Sequence, residues 1–169
     1  GNNTITGGSG ADTINGGTGI DVLTGGAGAD DFAFTAANNA TGGTPAAGVF
    51  ERITDFNNGN DEIDYSVALT IEAASATAVA QTAQINSEGF ATFATADDTF
   101  AEKLVAVENG IAVGTAAAGE YAIFTHGSDT YIFVGDVIDG IGTGDGLIQL
   151  TGVTGLSNST LTGGDLFLS

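Results

Sequence analysis

The sequence has no cysteine, no methionine and no tryptophan, a single proline, Pro45, and only two basic residues, Arg52 and Lys103. Without cysteine no disulfide can staple the fold, so a chain of this size working outside the cell needs another kind of cross-link. No apolar run reaches the ~18 residues that a membrane-spanning helix requires. Nor do charged, apolar and small-residue regions follow one another at the start, as they would in a signal peptide. Two cations stand against 21 acidic residues, a formal charge of -19. Such a surface repels phosphate backbones and anionic headgroups, which argues against nucleic acid and membrane insertion and in favour of divalent cations. Catalytic signatures are missing too: HExxH, GxSxG and GK[ST] do not occur. Ser128 and Asp129 adjoin His126, but neighbours on one tight turn cannot form a triad, and the chain is expected not to be an enzyme.

What is present is glycine and aspartate in register. Gly7 to Asn15 reads GGSGADTIN, Gly16 to Thr24 reads GGTGIDVLT, and Gly25 to Ala33 reads GGAGADDFA, three copies of a nine-residue unit after the partial start GNNTIT. Asn3 stands where the later copies carry Asp12, Asp21 and Asp30, and one apolar residue closes each unit: Ile5, Ile14, Leu23 and Phe32. The glycines specify a tight turn that few other residues adopt, and the short stretch after them is a minimal strand with one inward side chain. If the chain reverses at every turn, two units complete a coil of 18 residues. The strands then stack into two parallel sheets, Ile5 and Leu23 lining one and Ile14 and Phe32 the other.

This geometry sets Asp12 over Asp30 and Asn3 over Asp21. Two carboxylates ~4 Å apart repel by roughly 4 kcal/mol at an effective dielectric of ~20, against a total domain stability of about 5–15 kcal/mol. A cation between the turns would resolve the conflict. The available ligands are carboxylate and turn-carbonyl oxygens, a set that selects calcium over zinc or copper, and over magnesium with its stricter geometry. A glycine-rich linker with chance acidic residues would not keep register through three copies.

These GGxGxDxUx units resemble the calcium-binding parallel β-roll of RTX proteins exported by type I secretion. The resemblance implies ions that each bridge two turns one coil apart, held by the aspartate of both turns and by carbonyls near the glycines. Asp12 and Asp30 would then share one ion with carbonyls of Gly8, Gly10, Gly25 and Ala27. Asn3 and Asp21 would share another with Gly1, Gly16 and Thr18, Asn3 departing from the family's aspartate. The later ITDF and GNDEID phrases look like the segment that follows the repeats in RTX proteases and surface proteins. That likeness implies that Asp55, with Asp61 or Asp64, closes the last site beside Asp21 or Asp30. Asp61 and Asp64 read equally well as solvated carboxylates of a turn and a strand edge. Two to four calcium ions, or more, are expected.

Thr35 to Val49 breaks the period and reads as a surface excursion. Gly59, Asp61 and Ile63 repeat the end of the unit, so the roll is expected to continue there in degenerate form. Val67 to Gln84 is helix or loop, and Ile85 to Phe93 a short strand or hairpin around Gly89. Asp98 to Asn109 is the best helix, with Thr99 and Glu102 as a capping box and Gly110 as its stop. Tyr121 to Val134 is the clearest hairpin, with His126 at its turn. Asp136, Asp139 and Asp145 lie in a glycine loop that is either a further calcium loop or a solvated one. Leu147 to Leu150 is a strand. Asp165 followed by Leu166, Phe167 and Leu168 resembles a type I export signal.

The expected architecture is mainly β: a calcium-binding roll with its closing segment over residues 1–65, and a β-rich C-terminal secretion and assembly domain with one or two short helices over 66–169. Because Gly1 falls inside a repeat, the pattern is expected to extend upstream, making this the C-terminal piece of a longer protein. The Ala, Thr, Gly and Asn richness resembles crystalline surface-layer proteins of Gram-negative bacteria. The alternatives are the secretion tail of an RTX protease or lipase and the terminal domain of an RTX adhesin. Expected partners are calcium, the type I secretion machinery and further copies of the chain in a lattice at the cell surface.

Overall fold

Successive nonapeptides place their strands alternately in two sheets. The computed structural model describes residues 1–35, 50–71, 78–111, 118–136, 138, 140–142, 144–162 and 165–169. In chain order its elements are β1 (Thr4–Ser9), β2 (Thr13–Ile14), β3 (Val22–Ala27), β4 (Asp31–Phe34), β5 (Glu51–Ile53), β6 (Glu62–Tyr65), β7 (Gln84–Ile85), β8 (Ala91–Thr92), α1 (Phe100–Ile111), β9 (Tyr121–His126), β10 (Asp129–Val134), β11 (Gly146–Leu150), β12 (Ser159–Thr162) and β13 (Asp165–Leu168). The molecule is mainly β, as expected, and α1 is the one α-helix among the described residues.

One sheet runs β1-β3-β5-β11-β10-β9 and the other β12-β13-β6-β4-β2. The roll is parallel: Ile5 pairs with Leu23 and Ile14 with Phe32, both 18 residues apart as the repeat demands. The next coil keeps this register across the excursion, Leu23 pairing with Ile53 and Phe32 with Ile63. The roll therefore continues into β5 and β6, as the echo at Gly59 to Ile63 led us to expect. Most of the excursion, residues 36–49, lies outside the described residues.

The far end of the roll is closed by later segments. β11 pairs parallel with β5, and the antiparallel β10 and β9 extend that sheet. β13 and β12 extend the other, antiparallel to β6. Both sheets thus cross residue 65, where the sequence suggested a boundary between two units.

The core between the sheets holds Ile14, Leu23, Phe32, Ile53, Ile63, Ile123, Ile132, Ile148, Leu150, Leu166 and Leu168. Full burial of each such side chain contributes about 1.5–3 kcal/mol. A second core lies on the other face of the hairpin, where Ala122, Phe124, Tyr131, Phe133 and Leu147 meet Leu104, Val107 and Ile111 of α1. The hairpin is covered on both faces, which is why its strands read as unbroken apolar runs rather than alternating ones. Phe124 and Tyr131 stack with centroids 5.4 Å apart.

Helix α1 begins with the expected capping box. The Thr99 amide and hydroxyl donate to Glu102 Oε2 at 3.0 and 2.6 Å, and the Glu102 amide donates to Thr99 Oγ1 at 3.2 Å. Gly110 does not stop the helix, which runs on to Ile111. It is glycine for another reason: a β-carbon there would lie 2.8 Å from the Ala83 carbonyl oxygen, so it lets the helix approach the β7 segment. His126 lies at the hairpin turn, as expected. It ends β9 in register with Asp129, its ring set edge-on to Phe100 at 5.4 Å, and the turn tip is Gly127–Ser128. The expected hairpin around Gly89 is β7–β8, closed by the Asn86 side chain, which accepts from the Glu88 and Phe90 amides. Val67 to Gln84 carries only isolated bridges before β7 among the described residues, and 72–77 lie outside them.

Candidate calcium centre

In every nonapeptide the aspartate sits two residues before the buried apolar residue, at the point where the glycine turn hands over to the strand. Stacked coils therefore align these side chains in two columns, one along each edge of the roll. In the first column the Asn3 amide donates to Asp21 Oδ1 at 2.7 Å, and the Asp21 amide donates to Glu51 Oε2 at 2.9 Å. In the second the Asp12 amide donates to Asp30 Oδ1, and the Asp30 amide to Asp61 Oδ1, both at 3.0 Å. Each carboxylate thus receives an N–H from the coil before it. The expected juxtapositions of Asp12 with Asp30 and of Asn3 with Asp21 are both present.

The second oxygen of these groups is the revealing one. Asp12 Oδ2, Asp21 Oδ2 and Asp30 Oδ2 are all buried and have no hydrogen-bond partner, and the Asp21 and Asp30 side chains are 0% and 1% exposed. A buried carboxylate oxygen left without donor or cation is costly. Each lies over the first glycine of its own turn, Gly7, Gly16 or Gly25, where a β-carbon would collide with it. A β-carbon at Gly7 would lie 2.7 Å from both Asp12 Oδ2 and the Gly25 carbonyl oxygen, so oxygens from two consecutive coils flank that position.

The other candidate ligands divide into two sets. The carbonyls of Gly8 and Gly10 press on Gly26 and Gly28 of the next coil, which only glycine accommodates. On the same edge the Ala27 carbonyl accepts the Gly10 amide at 2.6 Å. Along the first column the carbonyl of Gly1 packs on Gly19, while the Gly16 carbonyl accepts Asn3 Nδ2 at 3.2 Å and the Thr18 carbonyl accepts the Gly1 amino group. Asn3 thus supplies a donor where a carboxylate would supply an acceptor, and its edge is the poorer in negative charge.

Of the carboxylates after the repeats, Asp61 belongs to the second column, is 2% exposed, and accepts the Asn57 amide through Oδ2 at 2.8 Å. Asp55 clamps the third glycine turn, each oxygen accepting an amide, from Gly25 and from Gly26, at 2.8 Å. Asp64 lies elsewhere, on the outward face of β6 opposite Asp165, with Asp31 and Glu62 paired beside them. Like charges placed directly opposite destabilise a sheet. Burial first, then the charges of Asp64 and Asp165, raise the Asp31 carboxyl above its usual range, and burial, then the charges of Asp165, Asp31 and Asp64, raise Glu62.

Asp145, in the acidic glycine loop, is 1% exposed and accepts the Asp136 and Gly142 amides at 3.0 and 2.7 Å. Burial raises its carboxyl, and the two amides partly offset this. It ties the loop together, while Asp139 lies outside the described residues. Glu51 was not singled out from the sequence. Its signal was there: Glu51 precedes Ile53 by the same two residues that separate Asp21 from Leu23. Burial beside the charge of Asp21 raises it to about 7, against the opposing effect of the Asp21 amide.

Among the described residues no three carboxylate or imidazole side chains converge on one point. A cation here would therefore need backbone carbonyls beside paired carboxylates. The residues present fit that role: the donors are all oxygens, three of them buried and orphaned, and they lie where consecutive coils meet. Residues 6–39 match the sequence model of the RTX calcium-binding nonapeptide repeat (4 copies). The segment is an RTX calcium-binding repeat. The two columns run beyond the match at Glu51 and Asp61, so the roll occupies more of the chain than its repeats do. No curated protein matches the chain. RTX repeats occur in secreted bacterial proteins, and no helix among the described residues is long and apolar enough to cross a membrane.

Proposed function

We propose that this RTX calcium-binding module belongs to an exported bacterial surface-layer protein, where it folds on extracellular calcium and supports secretion and lattice assembly. The observation that carries the calcium switch is the trio of buried, unpartnered oxygens on Asp12, Asp21 and Asp30. Bound calcium would supply the positive charge that these columns lack. Asp12, Asp30 and the Gly8, Gly10 and Gly25 carbonyls would hold one ion, and Asp21 with the Gly1 carbonyl the other edge's.

Without a cation the columns oppose folding, which keeps the chain threadable through the type I secretion machinery in a cytoplasm poor in free calcium. Extracellular calcium modules bind at about 10⁻⁴ to 10⁻³ M, and at about ten times the dissociation constant each ion adds ~1.4 kcal/mol. Two to four ions then shift a marginal fold from open to closed. The reading gives the chain no catalytic role. The surface-layer assignment is supported by composition and by an acidic outward face, Asp31, Glu62, Asp64 and Asp165, that cations would bridge to neighbouring copies.

Circular dichroism during a calcium titration tests the switch. The β signal is expected to appear with calcium and to vanish in excess chelator, and a chain equally folded in chelator would refute it. Asp12→Asn with Asp30→Asn should remove one ion and raise the calcium midpoint. Electron microscopy tests the lattice: ordered sheets in calcium, lost in chelator, support the surface-layer role, whereas monodisperse particles favour a secretion tail.

A further inference from the structure

The repeat ends at Ala33, yet the first carboxylate column does not. We propose that Glu51 is the third member of that column and a calcium ligand supplied from outside the nonapeptide pattern, forming with Asp21 a site one coil beyond the Asn3–Asp21 pair. This rests on the calcium-binding reading of the columns.

Three observations place it there. The parallel register sets Val22 opposite Arg52 and Leu23 opposite Ile53, which brings Glu51 to the rung of Asp21. Glu51 Oε2 accepts the Asp21 amide at 2.9 Å, the part that Asp21 Oδ1 plays for Asn3 at 2.7 Å. Glu51 is 2% exposed, and the facing Asp21, 0% exposed, keeps a buried Oδ2 with no partner. Hydrogen bonding alone does not call for a carboxylate here, because a glutamine oxygen would accept the same amide. Burying a second carboxylate against Asp21 is unfavourable on its own, and becomes favourable when a cation lies between them.

The longer side chain fits the position. The chain arrives at Glu51 from the excursion rather than from a nonapeptide turn, and one additional methylene carries the carboxylate to the Asp21 amide. The Arg52 side chain is directed elsewhere, its Nε donating to Gln149 Oε1 at 2.8 Å, and does not substitute for the cation.

The test compares Glu51→Gln with Glu51→Asp in the whole chain, reading calcium bound per chain by equilibrium dialysis and the calcium midpoint by circular dichroism. A ligand role predicts that E51Q binds one ion fewer, or needs at least about tenfold more calcium, and that E51D, which keeps the charge, is the milder variant. An acceptor-only role predicts the reverse ranking, because glutamine keeps the reach and aspartate does not. E51D folding in calcium where E51Q does not supports the proposal. The opposite result overturns it, as does failure of both to fold in excess calcium, which would make Glu51 a packing group. Wild-type chain that binds no calcium overturns the column reading itself, whereas calcium-binding wild type with an unaffected E51Q overturns only the role of Glu51.

Discussion

At the scale of single residues the molecule is governed by where its carboxylates are buried. Glu51 titrates at about 7 against an ordinary 4.5 because burial and Asp21 disfavour its charge. A folded-state pKa raised in this way contributes stability that is fully present below about 4.5 and lost as the pH rises through about 7. Asp31, Glu62 and Asp145 are raised too and act in the same direction. In calcium-stripped buffer the β signal is therefore expected to grow as the pH falls from about 8 to about 5, and E51Q should flatten that response. A calcium-free wild-type profile matching that of E51Q would show that Glu51 does not contribute. A second prediction concerns the turns. Gly26 has φ +102° and lies against the Gly8 carbonyl, whereas Gly59 has φ +90° with open space around it. Gly59→Ala should cost only the ~1–2 kcal/mol of left-handed backbone, and Gly26→Ala distinctly more, because it also drives the coils apart. Urea midpoints in saturating calcium compare them, and equal losses would mean that inter-coil contact at Gly26 contributes nothing. Asp12, Asp21 and Asp30 were legible in the sequence because period and residue type coincide there. Glu51 was not, since the excursion breaks the period before it and glutamate stands in place of aspartate.

Among the elements, legibility followed local chemistry. The Thr99–Glu102 box announced α1 because both partners lie within one turn, and Thr99→Ala is expected to destabilise the protein by about 1 kcal/mol, read as a lower thermal midpoint in saturating calcium. An unchanged midpoint would mean that the exposed first turn is already held by the contacts of Leu104 and Val107. The β9–β10 hairpin was equally plain, its apolar strands flanking Gly127–Ser128. Gly110 misled for a physical reason. A helix glycine can end the helix or let a neighbour approach, and only the position of the Ala83 carbonyl distinguishes the two. The last strand was not foreseen as a strand. The DLFL phrase looks like an export tail, and in the fold it is β13, with Leu166 and Leu168 0% and 1% exposed in the core of the roll. That pairing joins residues about a hundred positions apart, Leu166 to Ile63, and no local period encodes it.

At the scale of the whole molecule the sheets tie calcium binding to segments far from it. β1, β3 and β5 carry the first column and β2, β4 and β6 the second, and the sheet of the first continues through β11 into the β9–β10 hairpin, whose other face supports α1. A roll that loses its cations would therefore expose one face of that hairpin, including Ile123 and Ile132, which pack in the core between the sheets. Unfolding on calcium removal should be a single cooperative transition rather than a local melting of the repeats. Tyrosine reports on it, since the chain has no tryptophan and three tyrosines, Tyr65, Tyr121 and Tyr131. Tyr65 lies on β6, and Tyr131 packs against Phe100, the first residue of α1, with centroids 4.8 Å apart. In a Tyr65→Phe variant the tyrosine near-ultraviolet signal comes only from the hairpin, through Tyr121 and Tyr131. Its calcium midpoint is expected to coincide with that of the far-ultraviolet β signal. If the tyrosine signal instead survives in chelator while the β signal falls, the hairpin and α1 fold without the roll, and the continuity of the sheet carries no coupling between them.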